Sequence, residues 1–451
     1  MSQRKVLFFV KSIRFLRYFK SVVEALLTRG YAVQVVFDAT KIEPPLDDSL
    51  EQFKKEHPGF SYENGPLRTS PHARAVVRLR NIRNLAFILR IKAVPRHVNR
   101  MLQFVPRIFK RLATRVPLVA YLFGSRAFES FLALCEWATP PDRGITAFLR
   151  AARPDAVLVS YRNFPCVSPD TDYIKSAKAL GIKTAIITPS WDHLTTKSLI
   201  QVEPDAVFVW NEEHARALRA YHRIPKWKIK ITGAPQFDAW LSRRSPFLSR
   251  EQFALRHGLH SAQPFLLYIA SASAGTRNPA AIRLLREACD ASADERVRTM
   301  PIVVRPYPGY EELSLVSDTR GVYILPPPVG GRRTLQDDAL FYDAIFHALA
   351  VVALDSAAFF DAMAIGRPGI VYRDARFTDI QSAEHFSALM GQGALYEAGS
   401  QAVCADIISR LCADIDPLAP GRTAYLARFI RPRGIGKNAG EIVVDELQKF
   451  L

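Results

Sequence analysis

The chain has 451 residues and is 49% hydrophobic, enough for two or three domains of about 100–200 residues each, with large cores. Sixty-one Lys and Arg against 43 Asp and Glu give a formal charge of +18, which points to a polyanionic partner: nucleic acid, an anionic membrane surface or a phosphorylated substrate. Five cysteines without a CxxC pair argue against a disulfide framework, and no apolar run reaches signal-peptide or membrane-span length, so a soluble or peripheral cytoplasmic protein is expected.

Lys5 to Val10 reads as a buried strand, followed by a helix from Phe15 to Arg29 and a strand from Tyr31 to Phe37. This is the βαβ opening of a parallel sheet. The first turn, Lys11-Ser12-Ile13-Arg14, lacks GxGxxG, which argues against a dinucleotide enzyme. From Asn64 to Phe128 there is no Asp or Glu, and Arg and Lys interleave with Val, Leu, Ile and Phe. The pattern predicts basic amphipathic helices, broken near Pro95 and Pro106, inserted into the first domain. Such helices suit an anionic membrane. A helical subdomain with solvated arginines reads the same residues differently. Nucleic acid is a poorer fit, because few Tyr or Trp offer base stacking.

A helix is expected over 129–150, a strand over 155–160 and a helix over 169–180. Three short strands follow, at 184–187, 206–209 and 229–232, and the first domain ends near Asp238. Between the first two of these lies Ser190-Trp191-Asp192-His193-Leu194-Thr195-Thr196-Lys197. Ligands of open parallel sheets bind beyond the carboxyl ends of strands, and this loop leaves such an end. The bland alternative packs Trp191, caps a helix with Asp192 and Thr195, and solvates Lys197.

Ala239 to Gln263 reads as a linker with a short helix. Phe265 to Ala270 opens a second βα series, followed by the small-residue loop Ser271-Ala272-Ser273-Ala274-Gly275-Thr276 and a helix over 279–290. Small residues let backbone N–H groups face an anion. A strand over 301–305 ends in Arg305-Pro306-Tyr307-Pro308, and one over 322–325 precedes Pro326-Pro327-Pro328 and the basic loop 330–334. Strand 351–354 leads to Asp355-Ser356 and a helix to Ile365. A serine at a strand end before a helix N-terminus suits phosphate, although a plain Ser cap with a buried Asp361 fits too. A strand over 369–372 and a last helix over 440–450 complete the chain. No DxD, HExxH or Cys/His cluster occurs, so no essential metal is expected.

SWD-x-LT-x-K at 190–197, VWNE at 209–212, TGAPQFD at 232–238 and RYFKSVVEALLTRGYAV at 17–33 carry a resemblance. The chain resembles bacterial polysaccharide-biosynthesis glycosyltransferases related to CDP-glycerol glycerophosphotransferases and UDP-N-acetylglucosamine 2-epimerase. DSAAFFDAMAIGRP at 355–368 is similar to the DSGGIQEE…GKP signature of those enzymes, with Ala357-Ala358 for the glycine pair. The resemblance implies the α/β GT-B fold, two Rossmann-like domains facing across a cleft. Residues 1–238 would be the acceptor domain with the basic helical insertion 64–128, residues 239–436 the nucleotide-donor domain, and 437–451 a closing helix.

It implies sugar transfer from a nucleotide-sugar donor to a glycan or lipid-linked acceptor in cell-surface polysaccharide synthesis, without cofactor or metal. Ser356 would meet the donor pyrophosphate, with Asp355 beside it, and Asp361 the ribose. Ser271, Ser273, Gly275 and Thr276 would form the other diphosphate loop. Arg305 and Tyr307 take positions where relatives carry Arg or Lys and His. Asp192 and His193 are the candidate bases for the acceptor hydroxyl, ahead of His72 and Glu136, with Arg14, Trp191 and Lys197 on the acceptor side. Polyol-phosphate transfer from a CDP-alcohol, nucleotide-sugar 2-epimerisation and a non-catalytic membrane- or RNA-binding scaffold stay open.

Overall fold

The computed structural model describes residues 3–451 apart from 42–48, 162–167, 272–273, 308–315, 327–334, 383–385 and 387–388. Cys166, Ser273, Pro308, Pro327, Pro328 and the basic loop 330–334 therefore lie outside the described residues. The chain forms two compact units, Met1–Asp238 with Phe429–Leu451, and Ala239–Arg428.

The first unit holds seven parallel strands: β1 (Lys5–Val10), β2 (Ala32–Asp38), β3 (Phe60–Gly65), β4 (Ala156–Ser160), β5 (Lys183–Ile187), β6 (Ala206–Val209) and β7 (Ile229–Ile231), ordered β3-β2-β1-β4-β5-β6-β7. Its central strands are apolar without a break because both faces are covered. Val6, Phe8, Val10, Val35, Leu158 and Phe208 face one side. Leu7, Phe9, Val36, Val157, Val159 and Val207 face the other. β3 escaped the sequence reading for a physical reason: only Phe60 and Gly65 at its ends are buried, so this edge strand has no apolar period.

The predicted helix over 15–29 is interrupted. A turn at Ile13–Leu16 and a 3-10 turn at Arg17–Phe19 precede α1 (Lys20–Thr28). The basic insertion is helical: α2 (Ala73–Arg90), α3 (Pro95–Met101), α4 (Arg107–Arg115) and α5 (Pro117–Phe123). The single helix expected over 129–150 is two, α6 (Arg126–Ala138) and α7 (Arg143–Ala152). Pro140-Pro141 stops the first, and the Asp142 carboxylate accepts from the amides of Gly144 and Ile145, at 3.0 and 3.2 Å, to start the second.

The picture of α2 as an amphipathic helix with solvated arginines is corrected. Arg80 and Arg83 are buried. The Arg80 guanidinium donates to both oxygens of Glu136 on α6, at 3.0 and 3.1 Å. It also donates to both of Asp172 on α8 (Asp170–Ala179), at 2.7 and 2.9 Å. Arg83 donates to the Gln201 carbonyl, and Arg90 pairs with Glu129 at 2.8 Å. Burial alone would raise the Asp172 carboxyl, but Arg80 and Arg68 overcome that and hold it below its ordinary range. These charges lock the insertion onto α6, α8 and the chain at Gln201. Glu136, a lesser candidate base, is consumed there.

The second unit has six parallel strands: β8 (Leu266–Ile269), β9 (Ile302–Arg305), β10 (Val322–Ile324), β11 (Ala350–Ala353), β12 (Gly369–Tyr372) and β13 (Tyr396–Ala398), ordered β10-β9-β8-β11-β12-β13. Leu266, Tyr268, Val304 and Val352 pack to one side, and Leu267, Ile269, Val303 and Val351 to the other. This unit ends at Arg428, not at 436. Phe429–Leu451, with a last helix at Ala439–Gln448, belongs to the first unit, where Val443, Val444 and Leu447 join the core.

The return is clasped by the TGAPQFD segment. Gly233, at φ +87°, brings its backbone against the Ile430 carbonyl, which accepts from Ala234 N–H. The buried Asp238 carboxylate pairs with Arg431 and accepts from the amides of Ala439 and Gly440, at 3.0 and 2.9 Å. One carboxylate thus neutralises a buried cation and caps the last helix. Asp238→Ala leaves the Arg431 side chain, 2% exposed, without its counter-ion. The expected cost to the first unit is about 3–5 kcal/mol, with Asp238→Asn losing less. Urea unfolding followed by tryptophan fluorescence reads this, since four of the five Trp lie in residues 1–238; an unmoved midpoint would refute the clasp.

Candidate active site

Both sheets follow the 3-2-1-4-5-6 order of doubly wound folds, in which the crevice opens where strand order reverses, beyond the carboxyl ends. In the second unit that point lies between β8 and β11, paired in register Leu267↔Val351 and Tyr268↔Val352. β9 flanks β8 on its other side, with Ile269 opposite Arg305. Three neighbouring strand ends therefore gather the Ser271 loop, Arg305 and Asp355-Ser356.

Each is held by specific bonds. The Ser271 amide donates to Asn278 Oδ1 at 3.2 Å, and Asn278 Nδ2 donates to the carbonyls of Ser271 and Gly275. Gly275 takes φ +48°, Thr276 is exposed, and the helix Asn278–Asp290 begins directly after. Arg305 is nearly buried, with its guanidinium 4.1 Å from the Phe341 ring centre, while Tyr307 is half-exposed. Asp355 is buried, and Ser356 Oγ accepts from the Ala358 amide at 3.2 Å, leaving its own proton to donate. Ala357 sits at φ −63°, ψ −16°, so the alanine pair in place of two glycines carries no strain. Asp361 lies one turn into the helix Ala358–Ile365. Gln381 Nε2 donates to the carbonyls of Leu354 and Tyr372, tying the ends of β11 and β12 together. Helix N-termini and guanidinium groups are both of the kind that binds phosphate.

In the first unit, β5 leads into the predicted loop. Asp192 pairs with Lys197 at 3.0 Å, and its carboxylate accepts from Ser190 Oγ at 2.7 Å and Thr196 Oγ1 at 3.0 Å. Trp191 and His193 are buried. His193 and Lys197 line a cavity of about 10 Å³, with Tyr161, Thr188 and Ser198, room for about one water. Arg14 leaves β1, which is separated from β5 by β4, so Arg14 and Asp192 leave non-adjacent strands. His72 precedes α2, exposed and remote from these strand ends in sequence and topology.

Sequence reasoning missed the braces of this loop. His214 Nε2 meets the Trp191 carbonyl at 3.1 Å, and His222 Nε2 the Leu194 carbonyl at 2.8 Å. His222 Nδ1 accepts from the Ile200 amide at 3.2 Å, which fixes the proton on Nε2. Asn278 and Gln381 were missed as well. A polar residue at a helix start or end reads as surface until the chain it bonds is known. Among the described residues no three potential metal ligands converge.

No family model and no curated protein matches the chain. Solved structures do. The UDP-GlcNAc 2-epimerase of Neisseria meningitidis bound to UDP-GlcNAc is 13% identical, with TM-score 0.55 over 99% of this chain and 100% of that one. A putative UDP-N-acetylglucosamine 2-epimerase of Listeria monocytogenes is 14% identical, with TM-score 0.58 over 100% and 97%. A glycosyltransferase of Rickettsia africae is 9% identical, with TM-score 0.55 over 100% and 99%.

The chain has the GT-B fold.

In this GT-B chain, complete burial pushes the imidazoles of His214 and His222 down to about 4, against the pull of the carbonyls they hold. Both are neutral in the folded state at pH 5, while an unfolded imidazole, near 6.5, binds a proton. The unfolded chain thus takes up more protons between pH 6.5 and 4. Stability contributed by neutral burial is present above 6.5 and lost as pH falls to 4, by about 3 kcal/mol per histidine. Urea midpoints across this window should fall, and His222→Gln should flatten the slope by one proton; an unchanged slope in that variant rules the assignment out.

Proposed function

We propose that this chain is a glycosyltransferase that takes a sugar from a nucleotide-sugar donor and passes it to a glycan or lipid-linked acceptor of cell-surface polysaccharide. The observation behind the reading is the convergence of Ser271, Arg305 and Ser356 on three adjacent strand ends at the switch point of the second sheet. Arg305 offers a two-pronged contact to a phosphate, and Ser356 a hydroxyl donor. Asp355 shapes that strand end, and Asp361 serves the ribose. In this reading the second phosphate is assigned to the loop from Ser271 to Thr276, with Tyr307 at the rim.

In this reading the β5 loop serves the acceptor. Asp192 accepts the acceptor proton, with Lys197 keeping a positive charge beside it. His193 and Trp191 shape the loop from inside. No metal or cofactor is required by these roles.

The full chain, incubated with UDP-sugars, CDP-sugars and a CDP-alcohol, each with and without lipid-linked acceptor, tests the reading. Nucleotide release that depends on acceptor supports transfer. A C2-epimerised sugar formed without acceptor would replace it by epimerisation, and turnover of a CDP-alcohol alone by polyol-phosphate transfer.

Arg305→Met and Ser356→Ala should each weaken UDP or CDP binding, by about 10–100-fold for the lost charged hydrogen bond of Arg305 and less for Ser356. Calorimetry with unchanged affinity in both sinks the donor assignment. Asp192→Asn keeps the bonds to Ser190 and Thr196 in shape but removes the charge. Turnover should drop by about 10²–10⁴ with donor affinity intact. A wild-type rate in that variant takes Asp192 out of the mechanism.

A further inference from the structure

The helix α6 is built inside out. Its two carboxylates, Glu129 and Glu136, are buried, paired with Arg90 and Arg80. On the opposite face, at helical spacing, Phe131, Leu134 and Trp137 stand in solvent, Trp137 being 80% exposed. The neighbouring α5 does the same with Leu118, Tyr121 and Leu122, Tyr121 being 77% exposed. Ring contacts tie α4, α5 and α6 into one block: Phe109 to Phe123 at 5.4 Å, and Phe123 to Phe128 at 5.1 Å. Single exposed apolar side chains are ordinary, but a run of them across two touching helices marks an interaction surface.

Charge selects the partner. The adjoining α4 presents Arg107, Lys110, Arg111 and Arg115, all exposed, and no ion pair among the described residues engages them. No Asp or Glu occurs from 64 to 128, and the two on α6 point inward. A protein partner of mixed charge would find no acid to pair with its own bases. An anionic bilayer needs none. It takes apolar side chains into the acyl boundary, Tyr and Trp at headgroup level, and Arg and Lys against phosphates.

The pair α5 and α6 has together the length and apolar composition of a bent span, but the buried ion pairs of α6 favour a surface position. Among the described residues no single helix is long and apolar enough to span, and the pair α5 and α6 is bent by 53°. The inner face of α6 is tied to α2 by the two buried ion pairs, so only its outer face is free to enter lipid.

We propose that α4, α5 and α6 form a docking face for an anionic lipid bilayer, with Leu118, Tyr121, Leu122, Phe131, Leu134 and Trp137 as the inserted edge. Arg80, Arg83 and Arg90 of α2 take no part, because they are spent on Glu129, Glu136, Asp172 and Gln201.

The test is flotation of the full chain with phosphatidylcholine vesicles, with and without phosphatidylglycerol, at low and high salt. The wild type should float with the anionic vesicles and lose most of that binding at high salt. Arg107→Gln, Lys110→Gln, Arg111→Gln and Arg115→Gln together should weaken it about 10²–10³-fold. Leu134→Ser with Trp137→Ser should weaken it at least about tenfold. Both sets lie on the surface, and an unchanged circular dichroism melt confirms that the chain still folds. Binding that ignores lipid charge, or no binding, overturns the proposal. So does a lipid-free dimer in sedimentation velocity that the Leu134→Ser, Trp137→Ser variant abolishes while vesicles stay unbound, since the face then belongs to a second copy of the chain.

Discussion

A single buried carboxylate closes the first unit. Asp238 is its last residue before the chain departs for 190 residues of the second unit, and it meets the returning segment at Arg431, Ala439 and Gly440. Closing so long a loop carries an entropic cost that grows slowly with length. Charge, cap and close backbone packing at Gly233 act in one place to offset it. Asn211 adds to the same end, capping the helix Glu212–His222 through its oxygen and donating its amide to the Phe429 carbonyl. The VWNE and TGAPQFD segments therefore serve assembly of the fold. They make the first sheet, its last helix and the β6 and β7 strand ends one object.

The high positive charge divides into two populations with opposite consequences. Arg80, Arg83 and Arg90 face inward, where carboxylates and carbonyls meet them. Removing one partner there would strand a charge away from water, so these residues are structural in the strict sense. The cations of α4 face outward and contribute little to folding. Inward use of charge on α2 also frees the opposite face of α6 from any need for acids. That leaves it apolar in solvent, an arrangement folding alone does not favour.

The architecture was legible because parallel strands buried on both faces leave short, β-branched apolar runs, as at Val6 to Val10, Ala206 to Val209 and Gly369 to Tyr372. Elements failed to show where burial is partial or the chain is interrupted. β3 and β13 are edge strands of mostly polar or few residues. Pro140-Pro141 split a helix that periodicity alone joined, and the direction of Arg80 and Arg83 was hidden because their carboxylate and carbonyl partners lie 56 to 118 positions away. The candidate site was legible in part. Asp355-Ser356 and the Ser271 loop announced themselves by small polar residues at strand ends. Their neighbours Asn278 and Gln381, and the histidines behind the Asp192 loop, did not, since nothing local marks a side chain that bonds a distant carbonyl.

The two sheets share a strand order yet present different chemistry at their switch points. In the second, the loop after β8 is built of Ser, Ala, Gly and Thr, and the strand facing it ends in Asp355-Ser356. In the first, the loop after β1 is Lys11-Ser12-Ile13-Arg14, with Lys11 and Ser12 buried, and β4 runs into Tyr161, also buried. Topology fixes where a ligand can bind, and loop residues decide which. The serines and arginine suited to a phosphate stand at the switch point of the second unit, while the first unit carries bulkier residues at its own. Its polar groups sit one strand further along, beyond β5, where Asp192 and Lys197 stand paired above two histidines too deeply buried to carry charge.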